Sequence, residues 1–229
     1  MDFDMTPYFE QYEQLSAQMD QVFEKVKGQY PECVTCKTEC ADCCHALFDL
    51  TLIEALYINQ KFNERFSGEA RDRILEKANS IDRQIYKLKR KAAKDVQDGM
   101  SEEDVLTALA AERVRCPMLN DSDLCDLYHH RPITCRLYGI PTAIGGKGRT
   151  CGLSGFKPGE PYPTVHIEEI QNRLLALSEA LVQDMKSQHF KMGDILMPLS
   201  MAVLTTMDNA FLGLTADGED AGGGGGGDE

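Results

Sequence analysis

C-V-T-C-K-T-E-C-A-D-C-C, residues 33–44, places Cys33, Cys36, Cys40, Cys43 and Cys44 within twelve positions. Adjacent cysteines such as Cys43 and Cys44 are poorly placed to bridge each other, because a disulfide restricts the Cα and Cβ separations. Thiolates in C-x2-C, C-x3-C and C-C spacing instead converge on metal. A second block, Cys116, Cys125, Cys135 and Cys151, follows after a long cysteine-free interval. Ligands drawn from two distant blocks tie those segments together and couple binding to folding. The fold expected from this pattern is therefore organised around a cysteine-bound core, and buried apolar cysteines or disulfides account for the clustering less well.

The chain does not need this core merely to fold. Its 229 residues, 42% of them apolar, suffice for a hydrophobic interior, whereas dense disulfides serve secreted domains too small for one. Residues 1–20 carry acids and no apolar run, so neither a signal peptide nor a membrane anchor is expected, and no segment approaches the roughly 20 apolar residues of a spanning helix. A cytoplasmic, reducing location follows, with nine thiols read as ligands plus a spare. The net charge is −13, with five acids from Asp217 onward. Nucleic acid is excluded as a partner, since phosphate binding needs a basic face; the one basic run, residues 87–94, lies in a helical pattern as a solvated face. A zinc held by four thiolates adds a formal charge of about −2. Arg131, Arg136, Lys147 and Arg149 are candidates to offset such charge, and for Arg131 and Arg136 an ordinary surface ion pair is the competing account.

Helical periodicity dominates the rest. Tyr12, Leu15, Met19, Val22, Phe23 and Val26 recur at three and four, with Thr6 as N-cap, Pro7 as first residue and Gly28 as stop. Thr51 and Glu54 form a capping box opening a second helix with Leu52, Ala55, Leu56 and Ile58. One helical turn across Cys40, Cys43 and Cys44 would put their thiols on one face. Residues 69–96 carry a seam of Ile74, Ala78, Ile81, Ile85, Leu88 and Ala92 that calls for a partner helix. Asp98-Gly99 breaks it, and Ser101 caps a short helix through Val114 that returns the chain to Cys116. Residues 116–163 hold six prolines and seven glycines and are expected to be an irregular loop clamped by metal. Thr164 caps a fourth long helix with Ile167, Ile170, Leu174, Leu177, Leu181 and Met185 in register, and residues 195–203 suggest a short helix near Pro198.

Which metal is bound is not decided by spacing. Four thiolates satisfy zinc, and eight cysteines suit two such sites with Cys43 and Cys44 directed one to each. Iron–sulfur clusters also take four thiolates, and Cys33-x2-Cys36-x3-Cys40 and Cys116-Pro117 partly echo ferredoxin runs; the reading leans toward iron or an iron–sulfur cluster. His45, His129, His130, His166 and His189 are nitrogen candidates with simpler explanations in loops and the last helical region. Gly145, Gly146 and Gly148 do not form a phosphate loop. Glu168 and Glu169 read as an acidic first helical turn, and Met192, Met197, Met201 and Met207 as core filling. Neither a Ser/His/Asp order nor a catalytic carboxylate pair is visible.

Cys40-Ala-Asp-Cys43-Cys44, Cys116-Pro-Met-Leu, Cys125-Asp-Leu-Tyr128 and Arg131-Pro-Ile-Thr-Cys135-Arg136-Leu-Tyr138 together resemble the YkgJ-type cysteine-cluster proteins, described as zinc- or iron-chelating domains. The resemblance covers roughly residues 33–153. It implies Cys36, Cys40, Cys43, Cys44, Cys116, Cys125, Cys135 and Cys151 as the chelating set, with Cys33 outside it. The family commonly shows C-x2-C-x2-C-C, and here three residues separate Cys36 from Cys40, with Cys33 the substitute should Cys36 fail. A similar cluster pattern occurs in a flagellin lysine methylase that looks like an iron–sulfur enzyme, but nothing outside the cluster here supplies a methyl-donor site.

These readings combine into an all-α fold, a helical bundle packed around a loop-rich cysteine metal core. Residues 1–215 are expected to form a single helical domain and residues 216–229 a disordered acidic and glycine tail. The expected function is binding of iron, as an iron–sulfur cluster or otherwise, or zinc, for redox, sensing or metal handling. The alternatives are a cluster-dependent enzyme related to lysine N-methylases and a protein-interaction module with structural zinc.

Overall fold

Helix α2 (Leu52–Arg65) is the centre of the structure, a computed structural model that describes residues 3–214. Nine of its fourteen residues are buried, so it cannot lie on the surface with one wet face. Leu52, Ile53, Leu56 and Tyr57 pack against α1 (Thr6–Gln29), α5 (Ile133–Leu137) and α6 (Ile167–Asp184), where they meet Tyr12, Leu15, Ile133, Leu137, Leu174 and Leu181. Ala55, Ile58 and Phe62, on the other side, meet α3 (Gly68–Gln97) and α7 (Leu199–Leu204) through Ile74, Ala78, Ala202 and Val203. Spacings of three and four separate these two sets around one helix.

The start of α2 shows how the sequence fixes a helix end inside a protein. Glu54 Oε2 accepts from the Thr51 backbone N–H at 3.3 Å and from its hydroxyl at 3.2 Å, completing the expected capping box. The unpaired N–H of Ile53 donates to Ser178 Oγ of α6 at 3.1 Å, which explains a fully buried serine. Buried Asn59 donates from Nδ2 to the carbonyls of Ala202 at 2.8 Å and Thr205 at 3.0 Å, satisfying the end of α7.

The chain is mostly helical, as expected, but five strands of two or three residues qualify the all-α reading. β1 (Leu50–Thr51) pairs antiparallel with β5 (Leu196–Met197). β2 (Thr142–Ile144) lies between antiparallel β3 (Lys147–Arg149) and parallel β4 (Val165–His166). Strands this short leave no alternation to detect. The β2–β3 turn uses Gly145 and Gly146 at φ 58° and 72°, the left-handed pair that tight hairpins favour. Residues 116–163 are consequently not an unstructured loop, since α5 and this hairpin lie within them.

Several boundaries move for local reasons. The cap of α1 is Met5 rather than Thr6, because Asp4 Oδ1 accepts the Thr6 N–H at 2.9 Å. Helix α4 (Glu102–Ala111) keeps its Ser101 cap, whose Oγ accepts from Asp104 N–H at 3.1 Å, but ends before Val114. Thr164 caps nothing: its hydroxyl donates to the Tyr162 carbonyl, and β4 precedes α6. Residues 195–203 divide into β5 and α7, with Pro198 as the cap of α7. The α3 seam meets α7 and α4, burying Ile74, Ala78 and Ile85 while Ile81, Leu88 and Ala92 are half-buried. No helix among the described residues is long and apolar enough to cross a membrane. The expected tail, residues 216–229, lies outside the described residues.

Candidate metal centre

Four pieces of chain bring the cysteines together. Cys36 and Cys40 lie in the loop after α1, and Cys43 and Cys44 on a single 3-10 turn, Asp42–His45, so the imagined helical face including Cys40 is not formed. The extra residue between Cys36 and Cys40 is absorbed by a turn in which Cys40 N–H donates to the Lys37 carbonyl at 3.0 Å and Glu39 takes φ 71°. After α4, residues 113–116 run antiparallel to residues 44–46. Val114 N–H donates to the His45 carbonyl at 3.0 Å and Cys116 N–H to that of Cys44 at 2.7 Å. Asn120 folds the next segment back by accepting the N–H groups of Ser122 and Leu124 on Oδ1, which returns Cys125 beside Leu119. Cys135 is carried by α5, and Cys151 follows β3.

One cavity of about 820 Å³ has Cys36, Cys40, Cys43, Cys44, Cys116, Cys125, Cys135 and Cys151 on its wall. Phe48, Ile81, Ile85 and Leu199 contribute apolar wall. Cys33 is elsewhere: it is buried in the hydrophobic core, where its carbonyl accepts from Gly155 N–H at 2.8 Å. All nine cysteines are free thiols. Among the described residues no three His, Cys, Asp or Glu side chains already stand in coordination geometry.

Burial sets the proton affinity of these thiols. It pushes Cys36 up to about 11 and Cys116 up to about 12, raises Cys151, and holds Cys135 well above an ordinary thiol. Cys44 donates its S–H toward Cys125 and Cys43, which raises its own pKa and lowers both of theirs, that of Cys43 to about 7. Cys151 Sγ lies 3.3 Å from Asp42 Oδ2, whose carboxylate also pairs with Arg113. Metal binding at such thiols must displace protons.

The surroundings fit thiolate ligands. Arg131 lies on the wall, stacked 4.2 Å from the Tyr128 ring centroid, and its Nε is buried with no hydrogen-bond partner. Gly139, at φ 111°, leaves space that a Cβ would take from Cys36 Sγ. Arg136 also reaches the wall, but it is engaged structurally. Its guanidinium donates to Asp20 Oδ2 at 2.5 Å and to the carbonyls of Arg131 at 2.9 Å and His129 at 2.8 Å. Lys147 pairs with exposed Glu103, and Arg149 is not on the wall.

Only His129 of the five histidines reaches the cavity, and it is exposed and edge-on to Tyr128. His45 Nδ1 sits 3.0 Å from the Ala41 carbonyl and His130 Nδ1 3.1 Å from Tyr57 Oη. His166 and His189 are absent from the wall. Sequence reasoning gave no role to Asp42 or Gly139, although Asp42 stands inside the C-A-D-C-C string, and it gave Glu54 the capping box but not the bond to Ile133 N–H of the cysteine-bearing α5.

No curated protein and no solved structure matches the chain. The CxxCxxCC family model, described as "Putative zinc- or iron-chelating domain", matches residues 35–152, from just before Cys36 to just after Cys151. This match spans more than half of the 229 residues, and the chain belongs to the CxxCxxCC, or YkgJ-type, family.

Proposed function

We propose that the eight wall cysteines bind metal as two four-thiolate centres. Cys44, Cys116, Cys125 and Cys135 form an inner set and Cys36, Cys40, Cys43 and Cys151 an outer one. The observation carrying this reading is the shared wall, which gathers eight thiols from both sequence blocks and omits Cys33. Neighbour relations support the division. The charges of Cys40, Cys151 and Cys43 act on Cys36, while those of Cys43, Cys116 and Cys125 act on Cys135. Cys43 borders both sets, and the adjacent Cys44 turns toward Cys125.

The metal is iron in iron–sulfur clusters, serving redox, sensing or iron handling in the reducing cytoplasm, with residues 1–215 acting as one domain. A bare zinc ion draws thiolates to about 2.3 Å and closes its own shell, whereas a cavity of about 820 Å³ accommodates the bulk of inorganic sulfide. Anaerobic purification with metal and acid-labile sulfide analysis and a visible spectrum tests this. A brown protein with two clusters is expected. A colourless protein holding two zinc ions overturns the cluster, and a single centre overturns the division.

A second reading, a cluster-dependent enzyme related to lysine N-methylases, draws support from the apolar wall of Phe48, Ile81, Ile85 and Leu199, which leaves room for an organic group beside the thiols. A purely structural zinc module is the weaker alternative, because it calls for closed coordination without such space.

A further inference from the structure

We infer that Arg131 is the counter-cation shared by the two thiolate centres, with its Nε–H donating to a metal-bound sulfur. The inference rests on the eight-thiolate reading and selects one residue from the four cationic candidates near the second cysteine block.

Arg131 differs from the others in what it has left to give. Arg136 spends its donors on Asp20 and two carbonyls, Lys147 is committed to Glu103, and Arg149 is off the cavity. Arg131 Nη2 stands 3.9 Å from Asp20 Oδ1, an ion-pair distance beyond hydrogen-bond length, while Arg136 holds the other oxygen, Oδ2. Its guanidinium plane is fixed by stacking on Tyr128 at 4.2 Å. Its Nε–H is buried without an acceptor, and such a donor is costly unless something accepts its hydrogen bond.

The cavity wall that Arg131 shares is lined by eight cysteine sulfurs. The Arg131 charge favours the ionised forms of Cys36, Cys43, Cys125 and Cys135, two from each proposed centre. When metal replaces the thiol protons, each four-thiolate set gains negative charge at a wall where Lys27, Arg115 and Arg136 are already paired with carboxylates and Lys37 is exposed to solvent. An N–H···S bond and a delocalised cation between the sets lower the repulsion within and between them. Arg131 is thus a positioning residue, acting on metal through its ligands.

The test is anaerobic titration with Co2+ and then Zn2+ against a chromophoric chelator, on the full chain and on Arg131→Gln and Arg131→Lys. The thiolate-to-cobalt charge-transfer bands report the ligands directly. Arg131→Gln is expected to keep the metal stoichiometry, weaken affinity about 10–100-fold, the range for losing a partner of a metal ligand, and shift those bands. Arg131→Lys, retaining charge without the Nε–H, is expected to recover part of the affinity but not the band position. Unchanged affinity in Arg131→Gln, or equal losses in both variants matched by an equal fall in metal-free thermal stability, would overturn the role. Should Arg131→Gln fail to fold, Arg131→Lys decides alone: wild-type affinity and bands would overturn it. A wild-type chain that binds neither metal nor iron would instead sink the eight-thiolate reading, a separate outcome.

Discussion

The backbone N–H of Cys116 donates to the carbonyl of Cys44 at 2.7 Å, joining the two cysteine blocks directly. A stretch made mostly of helices α2, α3 and α4 separates them in the chain, yet this bond and the Val114–His45 bond set the blocks in antiparallel register. The thiols of both blocks therefore face the same space before any metal enters.

That prealignment makes the ligand set testable by substitution. Cys135→Ser and Cys43→Ser are expected to lose metal from the affected centre, because a hydroxyl does not replace a thiolate. Cys33→Ser should retain full metal content while losing about 1–3 kcal/mol of stability, since its buried position offers a hydroxyl no acceptor but Glu32 Oε1, 3.6 Å from the thiol. Metal analysis and chemical denaturation on the same samples separate these effects. If Cys33→Ser depletes metal more than Cys36→Ser does, the choice between them is reversed.

Gly139 provides a second handle that touches no ligand covalently. At φ 111° an L side chain is strained, and its Cβ would collide with Cys36 Sγ. Gly139→Ala should displace Cys36 and deplete the outer centre, leaving the inner one loaded. Half the wild-type metal per chain is the expected analysis; full content at both centres would show that Cys36 is not a ligand.

Glu54 offers a prediction about pH. Its Oε1 accepts from Ile133 N–H at 3.1 Å, so one carboxylate anchors the start of α2 and of the cysteine-bearing α5. Burial nevertheless raises its pKa above 4.5, outweighing these hydrogen bonds. A group that holds its proton more tightly when folded contributes stability that is complete below its unfolded pKa and fades as pH rises through the folded value. The stability difference between wild type and Glu54→Gln should therefore shrink as pH increases above 4.5. Near neutral pH we expect Glu54→Gln still to cost about 1–3 kcal/mol, because an amide cannot accept at both oxygens. Urea denaturation across this pH range measures both.

Metal uptake should release protons. Burial keeps Cys36, Cys116, Cys135 and Cys151 protonated at neutral pH, so Zn2+ affinity should fall steeply as pH decreases. Titration calorimetry in buffers of different ionisation enthalpy counts the protons. With free metal at 100 times its dissociation constant, each site adds about 2.7 kcal/mol to unfolding free energy, and a chelator should lower the melting temperature.

Much of this architecture was legible in the sequence because it depends on local spacing. The four long helices follow from apolar residues at three and four, and the box at Thr51 and Glu54 from the reach of one side chain around a single turn. Cysteine spacing and the R-P-x-x-C-R string marked the family without reference to structure. The strands escaped because pairs such as Leu50–Thr51 with Leu196–Met197 are too short to leave a period and exist only through distant partners. Likewise, Arg131 and Arg136 are indistinguishable as letters in one motif. Tertiary packing alone separates them, by giving Arg136 three acceptors and leaving Arg131 Nε buried with none. Local periodicity and cysteine spacing thus determined which helices form and that the chain is built to chelate. Which thiols share a wall, which lies in the core and which cation faces them were decided by contacts between residues far apart in the chain.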